Sequence, residues 1–149
     1  MEHVKIVAQN KKAYHDYFID ETFEAGVVLV GSEVKSIRAG KVSFADSFIS
    51  VKGSTAVLEN FYIAPYEKGS YFNLESRRDR ILLLNKREID RLRAMVERKG
   101  YTIVATKLYF KHSLVKFELG LARGKHMYDK RNALKEKQLD REAARAAIQ

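Results

Sequence analysis

The sequence predicts a mainly β fold: a small antiparallel barrel with helices on its outside and a flexible basic C-terminal tail. Three observations lead there. Short apolar segments enriched in Val, Ile, Phe and Tyr recur between turn residues, the spacing of a small barrel. One segment, after Asn85, carries a clear helical pattern. The strand-like pattern stops at Ala122, and from Asn132 to Gln149 the chain has no Pro, Gly or aromatic residue. Residues 1–122 are therefore expected to form the folded domain and 123–149 the tail.

The elements follow in order. Gln9-Asn10-Lys11-Lys12 is polar and basic, and a short helix is expected over Ile6 to Ala13. Tyr14 to Ile19 is the first aromatic-rich segment. Thr22 to Val30 reads as a strand, and Gly26 inside it marks a bulge or a close backbone approach. Ser32 to Arg38 alternates, and Ala39-Gly40-Lys41 is a turn. A second short helix is expected over Ser43 to Ser47. Phe48 to Val51 and Thr55 to Ala64 are strands about the turn Lys52-Gly53-Ser54, and Pro65 ends the second. Tyr66 to Arg80 is a long polar connection, of a length that goes with mobility or function in a compact domain. Ile81 to Leu84 is a short apolar run.

Asn85 then caps a helix, with Glu88 three residues on in a capping-box arrangement. Ile89, Leu92, Met95 and Val96 recur at helical spacing, with Ile89, Leu92 and Val96 expected inward, and Gly100 supplies the stop. Tyr101 to Phe110 and Leu114 to Ala122 form a hairpin across Lys111-His112-Ser113. In its second strand Val115, Phe117, Leu119 and Leu121 share one face, the period of two of a half-buried strand. The total is roughly six or seven strands and one long helix.

Composition narrows the function. The chain has 149 residues, 46% of them hydrophobic, and a net charge of +9. That length fits one domain plus a tail, and that charge fits a nucleic-acid-binding protein. Without cysteine there is no disulfide framework and no cysteine-based zinc site. The start, Met1 to Lys5, has no apolar signal region, and no apolar run is long enough to span a bilayer, so a cytoplasmic protein without a membrane partner is expected. No phosphate loop, dinucleotide fingerprint, His-Glu-x-x-His or Gly-x-Ser-x-Gly is written in the chain, and no cofactor or metal is expected. His3, His15, His112 and His126 lie far apart. His15 with Asp16 is at most a fragment of a ribonuclease site, so no enzymatic activity is expected.

Binding residues are better represented. Asn10, Lys11 and Lys12 precede Tyr14, His15 and Tyr17. Basic groups neutralise phosphates and aromatic rings stack on unpaired bases. The other reading makes Tyr14 and Phe18 core and the lysines a solvated edge. Lys35, Arg38 and Lys41 form a second basic group about a turn. Glu24 and Glu33 sit in apolar surroundings. Such a carboxylate can accept from a guanine amino edge or a ribose hydroxyl, or simply stand exposed on a strand.

Longer stretches are more specific. Phe23-Glu24-Ala25-Gly26, the run Gly31 to Lys41, Asp46-Ser47, Ile63 to Tyr66, Leu82 to Ile89, Lys99 to Thr102, Ala122 to Lys125 and Tyr128 to Arg131 closely resemble the signature of the SsrA-binding protein family, also called small protein B. The resemblance covers nearly the whole chain in order. It implies a β-barrel related to the oligonucleotide-binding fold and a non-enzymatic adaptor, monomeric when free. The adaptor would bind the tRNA-like domain of transfer-messenger RNA and carry it to stalled ribosomes for trans-translation. On matching positions it implies RNA contacts by Asn10, Tyr17, Glu24 and Leu83, the apolar Leu83 supporting the surface by packing. Gly124, Lys125, Tyr128, Asp129, Lys130 and Arg131 would serve the ribosomal step near the decoding centre. His126 stands where many relatives carry lysine. The tail is rich in helix formers but has a thin apolar stripe, so it is expected to be disordered when free and helical on the ribosome.

Overall fold

The computed structural model describes residues 4–66 and 75–125. His126, Tyr128, Asp129, Lys130, Arg131 and the distal tail lie outside the described residues, as does most of the Tyr66 to Arg80 connection. The elements in chain order are β1 (Val4–Gln9), α1 (Lys11–Asp16), β2 (Tyr17–Val27), α2 (Gly31–Arg38), β3 (Val42–Ser43), β4 (Phe48–Lys52), β5 (Thr55–Glu59), β6 (Tyr62–Ile63), β7 (Arg80–Leu83), α3 (Lys86–Lys99), β8 (Thr102–Lys111) and β9 (Leu114–Gly124).

The expectation of a mainly β architecture with helices is met. The main sheet runs β1-β8-β4-β5-β7-β2-β9, and β9 pairs back onto β8, so the pairings close a ring. All its pairings are antiparallel. Strand β8 is shared three ways. It pairs with β9 along its whole length, with β1 over Lys107 to Lys111, and with β4 at Ile103. β3 and β6 make a separate two-stranded ribbon.

The interior follows from alternation. Phe117, Leu119 and Leu121 on β9 and Phe23 and Ala25 on β2 are buried, with Ile103, Ala105 and Leu108 on β8. Phe61 meets Phe117 edge to face, with ring centroids 5.2 Å apart, and Phe44 meets Phe61 at 5.1 Å, favourable arrangements for aromatic quadrupoles. α2 contributes Ile37 to this core and α3 contributes Leu92, both fully buried. A smaller cluster lies on the outer face of the sheet, where Ala13 of α1 covers Val104 and Ala122 beside Tyr17 and Ile19.

Two parts match the sequence reading closely. In α3, Asn85 accepts from the Glu88 N–H at 2.9 Å, and Glu88 accepts from the Asn85 N–H at 3.2 Å. Gly100 ends the helix with φ 70°, a conformation costly for residues with a Cβ. The β8–β9 hairpin turns through His112 and Ser113, both at positive φ, whose twist matches that of the flanking strands.

Other expectations are corrected. The helix expected over Ile6 to Ala13 is instead strand β1, then Asn10, then α1; pairing of β1 with β8 overrides the local pattern. Ser43 to Ser47 is not a helix, because Val42 and Ser43 pair with Ile63 and Tyr62 and the chain turns through Asp46 at φ 65°. Ser32 to Arg38 is helical, its three-residue spacing of Val34 and Ile37 placing Ile37 inward. The strand expected from Thr22 begins at Tyr17, since β9 pairs with it from Gly124. The strand expected over Thr55 to Ala64 breaks at Asn60, which has φ 60°. Val96 is 37% exposed, and Met95 packs on the core instead.

Gly26 is a close approach and not a bulge. A Cβ there would stand 3.3 Å from the Leu83 Cβ. The bulge in β2 is at Asp20, where the pairing shifts between Ile19 and Glu21. Gly120 is tighter still, since a Cβ would stand 2.8 Å from Ile19 Cγ2. Gly120→Ala is therefore expected to lower stability by about 1–3 kcal/mol through overpacking. Urea denaturation checks this; an unchanged midpoint would show that Ile19 moves aside freely.

Candidate nucleic-acid interface

The first predicted group is held by Asn10. Its backbone N–H donates to the Thr106 carbonyl at 2.7 Å. Its Oδ1 accepts from the Ala13 N–H at 3.2 Å, and its Nδ2 donates to the Ala105 carbonyl at 2.9 Å. One side chain thus starts α1 and ties it to β8. Lys11, Lys12, Tyr14 and His15 are left exposed on α1. Tyr14 and Phe18 are not core; Ala13 and Tyr17 do the packing. His15 Nδ1 lies 3.0 Å from Asp16 Oδ1.

The base of the tail meets this group. Gly124 pairs with Tyr17. Lys125 Nζ donates to the Tyr14 carbonyl at 3.0 Å. The cations of Lys125 and Arg123 stand 5.2 and 5.3 Å from the Phe18 ring centroid, within cation–π range. Arg123 is clamped to Asp20 at 2.7 and 3.1 Å, and Tyr101 Oη donates to the same carboxylate at 2.7 Å. The Arg123 bond, then the Tyr101 bond, hold the Asp20 carboxyl below its ordinary range.

From α1 the outer face continues across the sheet. Tyr14 Oη donates to Glu118 Oε2 at 3.3 Å, and Thr106 Oγ1 donates to the same oxygen at 2.7 Å. Glu118 is paired with Glu24 on β2. Glu24 accepts from Tyr109 Oη at 2.5 Å and from Lys111 at 3.3 Å. The Tyr109 bond first, with Lys111 and Lys116 beside it, keeps the Glu24 carboxyl ionised below its ordinary range. Leu83 lies opposite Gly26 on the same face and is 56% exposed. It does not support the surface from beneath. Arg80 and Leu82 take the inward positions of β7, which leaves Ile81 and Leu83 outward.

The second basic group lies at the other end of β8. Lys35 stands 5.2 Å from the Tyr66 ring, and Arg38 stands 5.5 Å from the Phe110 ring near the hairpin. Lys41 is exposed beyond the turn, its carbonyl accepting from the Ala64 N–H at 2.9 Å. The structure therefore brings Asn10, Tyr17, Glu24 and Leu83 onto one face with α1, and sets Lys35 and Arg38 apart on α2 with Lys41 beyond the turn that follows it. Tyr109 and Lys111 were missed from the sequence; their signal is the alternation Lys107, Tyr109, Lys111 opposite Lys116 and Glu118.

Glu33 does not face a ligand. It is buried under α2, and its Oε2 accepts from Arg80 Nε at 2.9 Å and Nη2 at 2.7 Å. Oε1 accepts from Arg78 and from the Val30 N–H at 3.0 Å. Arg80 also donates to the Phe61 and Ser76 carbonyls. Burial pushes the Glu33 carboxyl up, but Arg78, the Val30 N–H and Arg80 together outweigh it and set the group below its ordinary value.

Residues 7–149 match the family model described as SmpB protein. The chain belongs to the SmpB protein family. An SsrA-binding protein of Thermoanaerobacter pseudethanolicus (strain ATCC 33223 / 39E) is 61% identical over 87% of this chain and 83% of its own. One from Bacillus cytotoxicus is 54% identical over 95% of this chain and 92% of its own. A solved structure described as "tmRNA-SmpB: a journey to the center of the bacterial ribosome" aligns with TM-score 0.68 and 55% identity, covering 79% of this chain and 83% of that one. No helix among the described residues is long and apolar enough to cross a membrane.

Two outcomes test the framework of this SmpB-family site. The folded pKa of Glu33 lies below its ordinary value, so its contribution is present above about pH 4.5 and is lost as pH falls through the folded value. Glu33→Gln should cost about 3–5 kcal/mol at pH 7 by stranding the Arg80 charge. That gap, read by urea denaturation, should narrow as pH falls through the acid range; a constant gap would refute the linkage. Asn10→Ala should cost about 1–2 kcal/mol through the lost cap and the Ala105 bond. Asn10→Asp keeps the cap and should lose less; equal losses would refute the cap.

Proposed function

We propose that this chain is a non-enzymatic RNA-binding adaptor. It takes the tRNA-like domain of transfer-messenger RNA to stalled ribosomes, where incomplete proteins are tagged by trans-translation. The carrying observation is the single outer face that runs from α1 across β8, β9 and β2 to Leu83, within a chain of the SmpB family. This face combines exposed lysines and rings of α1 with a fixed carboxylate at Glu24. Lysines attract phosphates without regard to sequence, rings stack on unpaired bases, and a held carboxylate selects hydrogen-bond donors on the RNA. The family, the SsrA-binding relatives and the tmRNA-SmpB structure support the same reading.

In this reading Asn10 and Tyr17 position α1, Lys11, Lys12 and His15 touch RNA, and Glu24 and Leu83 form the far part of the contact. Lys35 and Arg38 of α2, with Lys41 beyond its C-terminal turn, make a second phosphate contact. The closed sheet with outer helices is a small antiparallel barrel related to the oligonucleotide-binding fold, spanning 1–122. The tail 123–149 enters the empty messenger channel. There Gly124, Lys125, Tyr128, Asp129, Lys130 and Arg131 act near the decoding centre. The free protein is monomeric and cytoplasmic and uses no cofactor.

Binding to labelled tRNA-like domain beside an elongator tRNA, across a salt series, tests this. Selective binding that survives salt is expected, with Lys41→Ala lowering the salt slope by about 1. Equal, steeply salt-dependent binding to both RNAs would leave only a basic domain that coats rRNA, as a ribosomal or assembly protein does.

A further inference from the structure

A pocket of about 360 Å³ opens beside α1, between the Phe44 to Phe48 turn and the start of β8. That is within the usual range for small-ligand sites. Tyr17, Phe44 and Phe48 line it, Ile103 and Val104 contribute apolar surface, and Lys12 and Asp46 bring charge. Phe48 is 49% exposed, because the next residue, Ile49, takes the inward position on β4.

The turn that presents Asp46 is unusually constrained. Asp46 and Asn60 are both non-glycine residues in the left-handed region, at φ 65° and 60°. Asn60 Nδ2 donates to the Asp46 carbonyl at 3.1 Å. Arg77 Nη1 donates to the Ala45 carbonyl at 3.1 Å and the Asn60 carbonyl at 2.9 Å, so one guanidinium spans both segments. Ser47 donates its Oγ–H to the Phe44 carbonyl at 2.7 Å. Asp and Asn tolerate this conformation, and the bonds from Asn60 and Arg77 hold the turn that carries the one side chain left over. Here that side chain is the Asp46 carboxylate, which no described residue hydrogen-bonds. By contrast, the neighbouring Asp16 carboxylate is paired with His15, and both amide atoms of Asn10 are used within the fold.

We propose that this pocket receives one unpaired guanine base of a bound RNA. The proposal rests on the RNA-binding reading above and adds a specificity site to it. An aromatic lining suits a base face. The two carboxylate oxygens of Asp46 match the paired N1–H and N2–H donors of guanine. Adenine presents an acceptor at N1, which a carboxylate repels, and a pyrimidine offers less area to stack. Lys12 at the rim suits the phosphate of the same nucleotide. The carboxylate discourages phosphate itself from entering, so the pocket selects a base and the surrounding positive charge holds the backbone.

The test follows the backbone amide signals of residues 44–48 by NMR while GMP or AMP is added to the full-length protein. GMP should shift these signals and bind at least about tenfold tighter than AMP. Asp46→Asn tolerates the left-handed backbone and should abolish the preference for GMP. Phe48→Leu keeps an apolar residue and should weaken both nucleotides. Absent shifts, equal shifts with GMP and AMP, or a preference retained in Asp46→Asn would each overturn the pocket. Binding of the same variants to the tRNA-like domain separates the two readings. Selective RNA binding by the wild type with no GMP response removes only the pocket. A GMP response without RNA selectivity removes the adaptor and keeps the pocket.

Discussion

Strand β8 has to satisfy three neighbours, and the way it does so sets the rest of the fold. A regular strand has one parity, inward or outward, along its whole length. β8 changes parity once, at Thr106, where one extra residue is inserted against β9. Before the bulge Ile103 and Ala105 point inward and Val104 outward; after it Leu108 points inward and Lys107, Tyr109 and Lys111 outward. The first half therefore gives α1 an apolar seat at Val104. The second half gives Glu24 its hydrogen-bond donors. Thr106 itself is fully buried, and its hydroxyl reaches both the carbonyl and the carboxylate of Glu118. Bulges of this kind re-aim side chains and increase local twist.

The neighbouring strands make matching adjustments. β2 inserts Asp20 between Ile19 and Glu21, and β1 inserts Val7 between Ile6 and Ala8. In β2 the insertion leaves Tyr17 and Ile19 under α1 while Phe23 and Ala25 remain in the core. It also leaves Asp20 free to clamp Arg123. The base of the tail and the seat of α1 are thus fixed by the same irregularity. Electrostatics completes the frame at the other end, where Glu33 and Arg80 form a buried pair. Such a pair contributes little net energy compared with apolar packing but is costly to break. Its effect is to fix α2 against β7 and the Phe61 segment, and so to fix where Lys35 and Arg38 point.

The binding chemistry follows from this frame. A surface of lysines alone binds any polyanion, and salt weakens it steeply. Discrimination requires groups whose geometry is set before the ligand arrives. Glu24 is ionised and held by Tyr109 and Lys111, and Asp46 is presented by a turn pinned from Asn60 and Arg77. In the proposed reading, flexible cations supply attraction and these fixed acceptors supply selection.

Local signals were enough for the parts that are local. α3 is written in its cap, its spacing and its glycine, and the β8–β9 hairpin in the alternation of Val115 to Leu121. The family and its general character are carried by contiguous runs such as Gly31 to Lys41. Asn10, Tyr17 and the α1 lysines were legible because they sit together in the chain. What the sequence did not reveal depends on partners distant in sequence. β1 is a strand because β8 offers it an edge, and α2 is a helix with Glu33 buried because Arg80 comes from 47 residues away. The exposure of Leu83 depends on Arg80 and Leu82 taking the inward positions of β7, and the outward placement of Tyr109 and Lys111 depends on the bulge at Thr106. A one-residue insertion reverses every side chain beyond it, and no residue type marks such an insertion in advance. Sequence determined which segments prefer helix, strand or turn and how the charge lies along them; tertiary pairing decided which face each side chain took.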